Sequence, residues 1–271
     1  MSPLIHPTAI IDKKAEIGNN VQIGAYSVIG ADVVLHDNVC LQSHIVVEGP
    51  TSIGKGTQIY PFCVIGTPAQ HTKYKGEPAT LEIGANNIIR EKVSIHRGTE
   101  IGGMSTVIGN NNFILADCHI AHDCSVGNNN VFANGVALGG HVIVGNHCFM
   151  GGFSAVQQFV RIGDIVMIGA KSLVTQDIIP FSIATGIPCD LRGVNIIGLK
   201  RQNYTPAQIT HTRNIFKNLF EGEGQFSSRL ESACSRFGSD LLGGKIFDFI
   251  QSKNHRPICM PINVNFSDTE E

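Results

Sequence analysis

Large aliphatic residues recur at every sixth position from Ile5 through Ile11, Ile17, Ile23, Ile29, Leu35, Leu41, Val47, Ile53 and Ile59 to Ile65. The same phase returns at Ile83, Ile89, Ile95 and Ile101, slips by one residue, and continues from Ile108 through Ile114, Ile120, Val126, Phe132 and Leu138 to Val174. A period of six fits neither an α-helix nor a flat strand; it predicts a parallel β-helix, in which each short strand gives one aliphatic side chain to a shared interior that the next coil covers. The position two before each aliphatic is small or β-branched (Ala15, Val21, Ser27, Val33, Val39) and should also point inward. Glycine after the aliphatic, at Gly109, Gly127 and Gly145, and Asn pairs such as Asn128-Asn129 mark corners that need unusual backbone angles.

Breaks in the repeat set the organisation. Thr67 to Leu81 is polar and punctuated by Gly76 and Pro78, which predicts an external loop at about 67–81, and a smaller disturbance at 102–106 accounts for the slip. The pattern stops near Pro180, and Pro188 to Gly198 reads as an irregular crossing. From Thr205-Pro206, an N-cap followed by proline, the texture turns helical, with further helices over Ser227–Phe237 and Gly244–Ser252 and no periodic signal beyond Asn254. The expected division is a β-helix over 1–188 and a small α-helical domain over 189–271.

Composition narrows the function only mildly. The 271 residues are 42% hydrophobic and 15% charged, a globular balance, and a formal net charge of −2 argues against nucleic acid as the main partner. With no basic-apolar leader and no apolar run long enough for a bilayer, the expected compartment is the cytoplasm, without a transmembrane segment. Of the eight cysteines, Cys118, Cys124 and Cys148 fall in the small inward phase. They should be reduced core thiols facing away from the outward His119 and His122, so the Cys118–Cys124 segment is not expected to bind metal.

Since packing occupies the interior, chemistry falls to outward side chains. With about 18 residues per three-sided coil, His122, Gly140 and Gln158 form one column, and Asp123, His141 and Phe159 the next. His96, His119, His122 and His141 then cluster beside the small Gly139-Gly140. Histidine is a suitable general base near neutral pH, and a neighbouring carboxylate that orients its ring improves it. Adjacent strand residues point to opposite sides, however, so the orienting contact would involve a turn or the backbone instead.

The repeat, together with Ile95-His96-Arg97-Gly98-Thr99, Ala121 to Gly127, Gly139-Gly140-His141-Val142, Gln158-Phe159, Gly193-Val194-Asn195 and Gly198-Leu199-Lys200-Arg201, resembles the UDP-N-acetylglucosamine O-acyltransferases that begin lipid A synthesis. The resemblance covers nearly the whole chain. It implies a left-handed β-helix, a homotrimer with sites between subunits, and transfer of an (R)-3-hydroxyacyl chain from acyl carrier protein to the glucosamine 3-hydroxyl of UDP-N-acetylglucosamine. In that scheme His122 is the base, Asp123 orients it, and the Gly140 amide stabilises the oxyanion, with no cofactor, metal or acyl-enzyme. The implied substrate cleft is lined by Gln70, Lys73, His96, His119, His141, Gln158, Asn195 and Arg201, and Ala170 limits the acyl chain. Lys171, Lys200, Arg201, Arg213 and Lys217 form the basic set that would receive the acidic carrier protein. His71, Gln157, Ile197 and Gln202 depart from the familiar pattern, where Asp, His, Glu and Arg stand. They leave room for a 3-amino acceptor and an amide product.

Other readings fit less well. A zinc carbonic anhydrase of this fold carries two ligand histidines five apart, whereas His119 and His122 are three apart. An N-acyltransferase using the 2-amine usually has a separate amino-terminal domain, and a purely structural β-helix would show a flat Thr/Ser face.

Overall fold

A computed structural model describes residues 4–252 and 255–262. Most hexads are a two-residue strand and a corner. The second strand residue points inward, as at Ile114, Ile120 and Leu138, all 0% exposed, and the first points out, as at Phe113, His119 and Ala137. Removing one such aliphatic side chain from water contributes about 1.5–3 kcal/mol, and the repetition makes a continuous core from Val21 to Val174. At the first coil, where neighbours lie on one side only, Ile5 remains 40% exposed.

Three sheets of eleven, nine and eight strands, counted among the described residues and parallel throughout except for the last strand of the first, form the faces of a left-handed prism. Neighbouring rungs lie 18 residues apart, as in the Asn110–Asn128 and Asn128–Asn146 ladders along one edge. The corners take left-handed backbone angles, at Asn20, Asn86, Asn111 and Asn129 as expected, but equally at Asp123 (φ 60°), His141 (φ 62°) and Phe159 (φ 67°). The hydrogen-bonded rungs above and below impose that conformation on residues that would not choose it alone.

Two rungs are longer than the rest. Val64 pairs with Ser94, and Ser94 with His119, so both insertions, 68–79 and 97–104, leave from the same edge, between the second and third faces. Asp123, His141 and Phe159 occupy that same edge further along. The longer second rung also corrects the place of Ile101 in the repeat. Ile83 pairs directly with Ile108, and Ile101 lies 68% exposed in a 3-10 turn, Glu100–Gly102. Its six-residue spacing coincides with the start of the insertion and carries no packing role.

Cys118, Cys124 and Cys148 are buried free thiols in the core, as their phase predicts. Burial pushes Cys118 up to about 11 and Cys124 and Cys148 up to about 12, so all three are protonated and unreactive at neutral pH.

Beyond the prism, Ser182–Gly186 adds to the first sheet and Cys189–Val194 returns antiparallel to it, so the stretch read as irregular is largely ordered strand. Four helices follow among the described residues: α1 (Ile196–Arg201), α2 (Pro206–Phe220), α3 (Phe226–Phe237) and α4 (Leu241–Gln251). Thr205 caps α2 in a reciprocal capping box with Gln208. Helix α4 starts three residues earlier than its apolar spacing suggests, because Asp240 accepts from Leu242 and Gly243 and fixes the first turn. The chain then returns to the prism through a bridge between Ile258 and Asp177, and 263–271 lie outside the described residues. No described helix is long and apolar enough to cross a membrane.

Candidate active site

The strand His119–Ile120 ends before His122, and the left-handed angle at Asp123 turns its side chain back toward the preceding residue. The His122 Nδ1 and Asp123 Oδ2 atoms lie 2.7 Å apart. This corner is the turn that such a contact requires, since strand alternation does not apply there. Asp123 has no exposed side-chain surface and accepts from the Thr99 amide (2.7 Å) and the Thr99 hydroxyl (2.6 Å). An acceptor-only carboxylate on Nδ1 keeps the proton there and leaves the Nε2 lone pair for chemistry.

On its other side the His122 ring lies against the next coil. A Cβ at Gly140 would stand 2.6 Å from Cε1 and 2.8 Å from Nε2, so only glycine lets the ring and this backbone meet. His71, from the external loop, sits edge-on to His122 at 5.0 Å between centroids, and His141 does so at 5.1 Å. His141 stacks on Phe159 at 4.5 Å, and Phe159 meets His255 from the returning carboxyl-terminal segment. A second pair of rings lies nearby: His96 and His119 are 5.3 Å apart and tilted, with His96 Nδ1 against the Pro68 carbonyl (2.9 Å) and His119 Nδ1 against the Ser94 hydroxyl (2.9 Å). Burial holds His119 and His141 below the usual imidazole range, with Asp123 partly offsetting the effect at His141. Both are therefore neutral at pH 7 and able to donate and accept.

Among the described residues, His122, Asp123 and His141 are the group whose donor atoms converge, all within 4.8 Å. Tetrahedral zinc separates its ligand atoms by about 3.3 Å at ordinary bond lengths, whereas His122 and Asp123 stand 2.7 Å apart as a hydrogen-bonded pair. The two are arranged as a hydrogen-bonded His–Asp pair.

A sequence profile described as UDP N-acetylglucosamine O-acyltransferase, domain 2, matches residues 177–259, and one described as bacterial transferase hexapeptide (six repeats) matches 14–49 and 105–140. The acyl-[acyl-carrier-protein]--UDP-N-acetylglucosamine O-acyltransferase of Rickettsia bellii is 46% identical over 255 residues, covering 94% of this chain and 91% of its own. The protein of the same name from Rhizobium rhizogenes is 42% identical, with 96% of both chains covered. Among solved structures, LpxA from Acinetobacter baumannii superposes with a TM-score of 0.91 at 39% identity, covering 94% of this chain and 99% of that one. The chain belongs to the UDP-N-acetylglucosamine O-acyltransferase family.

For a member of this family, the expected residues divide into three groups in the single chain. His122, Asp123, Gly140 and His141 meet directly, with His96 and His119 beside them. Gln70 and Lys73 stand exposed on the loop that carries His71, and Gln158 is exposed with its carbonyl accepting from Arg256 (3.1 Å). Ala170, Lys171 and Arg201 are exposed, Arg213 is half-buried on α2, and Lys217 approaches Glu221 at 3.9 Å. Asn195 differs in kind: it is buried, its Oδ1 accepts from Gly198 N–H (2.9 Å) and its Nδ2 donates to the Ile165 carbonyl (2.8 Å). In this chain it caps α1. Sequence reasoning missed the contacts of Thr99, Gly102 and His71 with the His122–Asp123 pair. The slip in the hexad phase was the available signal for the first two.

Proposed function

We propose that this chain transfers an (R)-3-hydroxyacyl group from acyl carrier protein to the 3-hydroxyl of UDP-N-acetylglucosamine, the first acylation of lipid A synthesis. The observation that carries the reading is the buried His122–Asp123 pair lying flush on Gly140, in a chain whose full-length relatives are named for this reaction. His122 Nε2 takes the proton of the sugar hydroxyl as its oxygen attacks the thioester carbonyl. Asp123 stabilises the imidazolium that forms, and the Gly140 amide donates to the oxyanion. Collapse of the tetrahedral intermediate breaks the C–S bond, forms the ester, and returns the proton from His122 to the departing thiolate. General-base catalysis of this kind contributes about 10²- to 10⁴-fold, and an oxyanion donor a further 10²- to 10³-fold or so.

Gln70, Lys73, His96, His119, His141 and Gln158 would bind the sugar and the acyl chain, with Ala170 at the acyl-chain terminus. Arg201 has the planar donor fork suited to a diphosphate, and Asn195 contributes by capping the helix that holds it. Lys171, Arg213 and Lys217 would meet the acidic carrier protein. Incubating the protein with UDP-N-acetylglucosamine and a panel of 3-hydroxyacyl carrier proteins should give a UDP-linked product of acylated mass that mild alkali cleaves. An alkali-resistant product formed only from a 3-amino sugar nucleotide would replace the ester reading with the amide one, and no product with any donor would defeat both.

A homotrimer completes the proposal. Its support is an in-register outward column of Ile88, Phe113, Val131, Phe149, Met167 and Ile183 along the first face, since apolar stripes of this length are covered in closed oligomers. Sedimentation equilibrium should give three times the 29.1 kDa chain mass, and Phe149→Asp should lower it. A monomer in the wild type would rule out a site shared between subunits.

A further inference from the structure

We infer that Thr99 is a positioning residue for the His122–Asp123 pair, delivered to it by the insertion that breaks the hexad phase. The inference rests on the proposed role of that pair. The rung carrying the insertion takes 25 residues from Thr80 to Ser105, where ordinary rungs take 18. Thr99 lies in the extra length and is 1% exposed. Its amide donates to Asp123 Oδ1 and its hydroxyl to Oδ2, the oxygen that also meets His122, so one residue grips both oxygens of the carboxylate. The terminal torsion of an aspartate is broad and nearly free when nothing holds it; here it has one setting, with Oδ2 on His122 Nδ1.

The rest of the insertion holds Thr99 in place. The Thr99 carbonyl accepts from Gly102 N–H (3.1 Å) and Met104 N–H (2.9 Å), closing a tight turn. Gly102 lies against the carboxylate so closely that a Cβ there would stand 2.0 Å from Asp123 Cγ. On the return strand, the Thr106 hydroxyl accepts from Asp123 N–H (2.8 Å) and fixes the left-handed corner itself. A plain hexad corner would supply neither Thr99 donor to the carboxylate. Thr99 acts on the reaction through Asp123 and His122.

Thr99→Val keeps the shape and the backbone donor and removes only the hydroxyl. In the full-length protein its kcat should fall about 10- to 100-fold, the range expected for one hydrogen bond to a charged group, with the KM for UDP-N-acetylglucosamine unchanged. Thr99→Ser, which keeps the hydroxyl, should restore kcat to near the wild-type value. Wild-type kcat in Thr99→Val, a loss carried by KM alone, or a serine variant no better than valine would overturn the inference. Should Thr99→Val fail to fold by circular dichroism, Gly102→Ala tests the same point, because its methyl group displaces the carboxylate while Thr99 stays; undiminished kcat there would also overturn it. Asp123→Asn separates the two levels. If that variant is crippled and Thr99→Val is not, Thr99 has no part in a working pair, whereas an active Asp123→Asn would remove the pair itself from the mechanism.

Discussion

Replacing His122 with alanine should lower kcat by about 10²- to 10⁴-fold, the contribution of a general base whose proton transfer occurs in the transition state. The KM for UDP-N-acetylglucosamine should change much less, because the proton moves only as the ester forms. The fold should be unaffected: His122 faces the edge of the prism, while the aliphatics that hold this coil, Ile120 and Val126, lie behind it in the core. Steady-state kinetics on the two proteins, with melting temperatures as a control, check both halves. A variant with equal kcat would remove His122 from the chemistry, and one with lowered stability would give it a structural role.

The second large effect is expected at a residue with no side chain. Gly140→Ala places a methyl group 2.6 Å from His122 Cε1, inside any tolerable contact, and Asp123 holds the other edge of the ring at 2.7 Å. The imidazole must therefore leave either the Gly140 backbone or the carboxylate. A displacement of about 1 Å at a reacting group costs roughly 100-fold in rate, and the moved ring would also separate the base from the proposed oxyanion amide. The expected result is a loss of kcat of that order with a near-normal melting temperature, since Gly140 shows no left-handed strain to relieve and its neighbours Leu138 and Val142 remain packed. Normal turnover in Gly140→Ala would mean that the ring has room the geometry denies it.

Much of this arrangement is legible in the chain because a repeat fold ties residue number to position in space. Eighteen-residue stacking brought Asp123, His141 and Phe159 together, as the His141–Phe159 stack demonstrates. The same arithmetic fails wherever the chain leaves the repeat. Thr99 and Ile101 lie in the lengthened rung, where a six-residue count placed Ile101 in a core it never enters and gave no sign that Thr99 reaches Asp123. The direct His122–Asp123 contact comes through the turn that strand alternation required of it. Strand alternation is a property of extended backbone, and Asp123 is left-handed because its neighbours above and below make it so. His71 was visible as an unusual residue but not as a neighbour of the base, since nothing in a polar loop fixes which way it folds back. Asn195 shows the converse, a motif residue whose side chain is engaged within its own chain as a helix cap.

Rapid-quench transfer of labelled 3-hydroxyacyl groups from acyl carrier protein, followed on the carrier, the protein and the UDP-sugar together, tests the central claim most directly. Direct attack by a sugar hydroxyl deprotonated by His122 predicts that label passes from carrier to sugar without residing on the protein, and that His122→Ala slows that single step. Label accumulating on the protein before the product forms, or equal transfer rates in the wild type and His122→Ala, would contradict it.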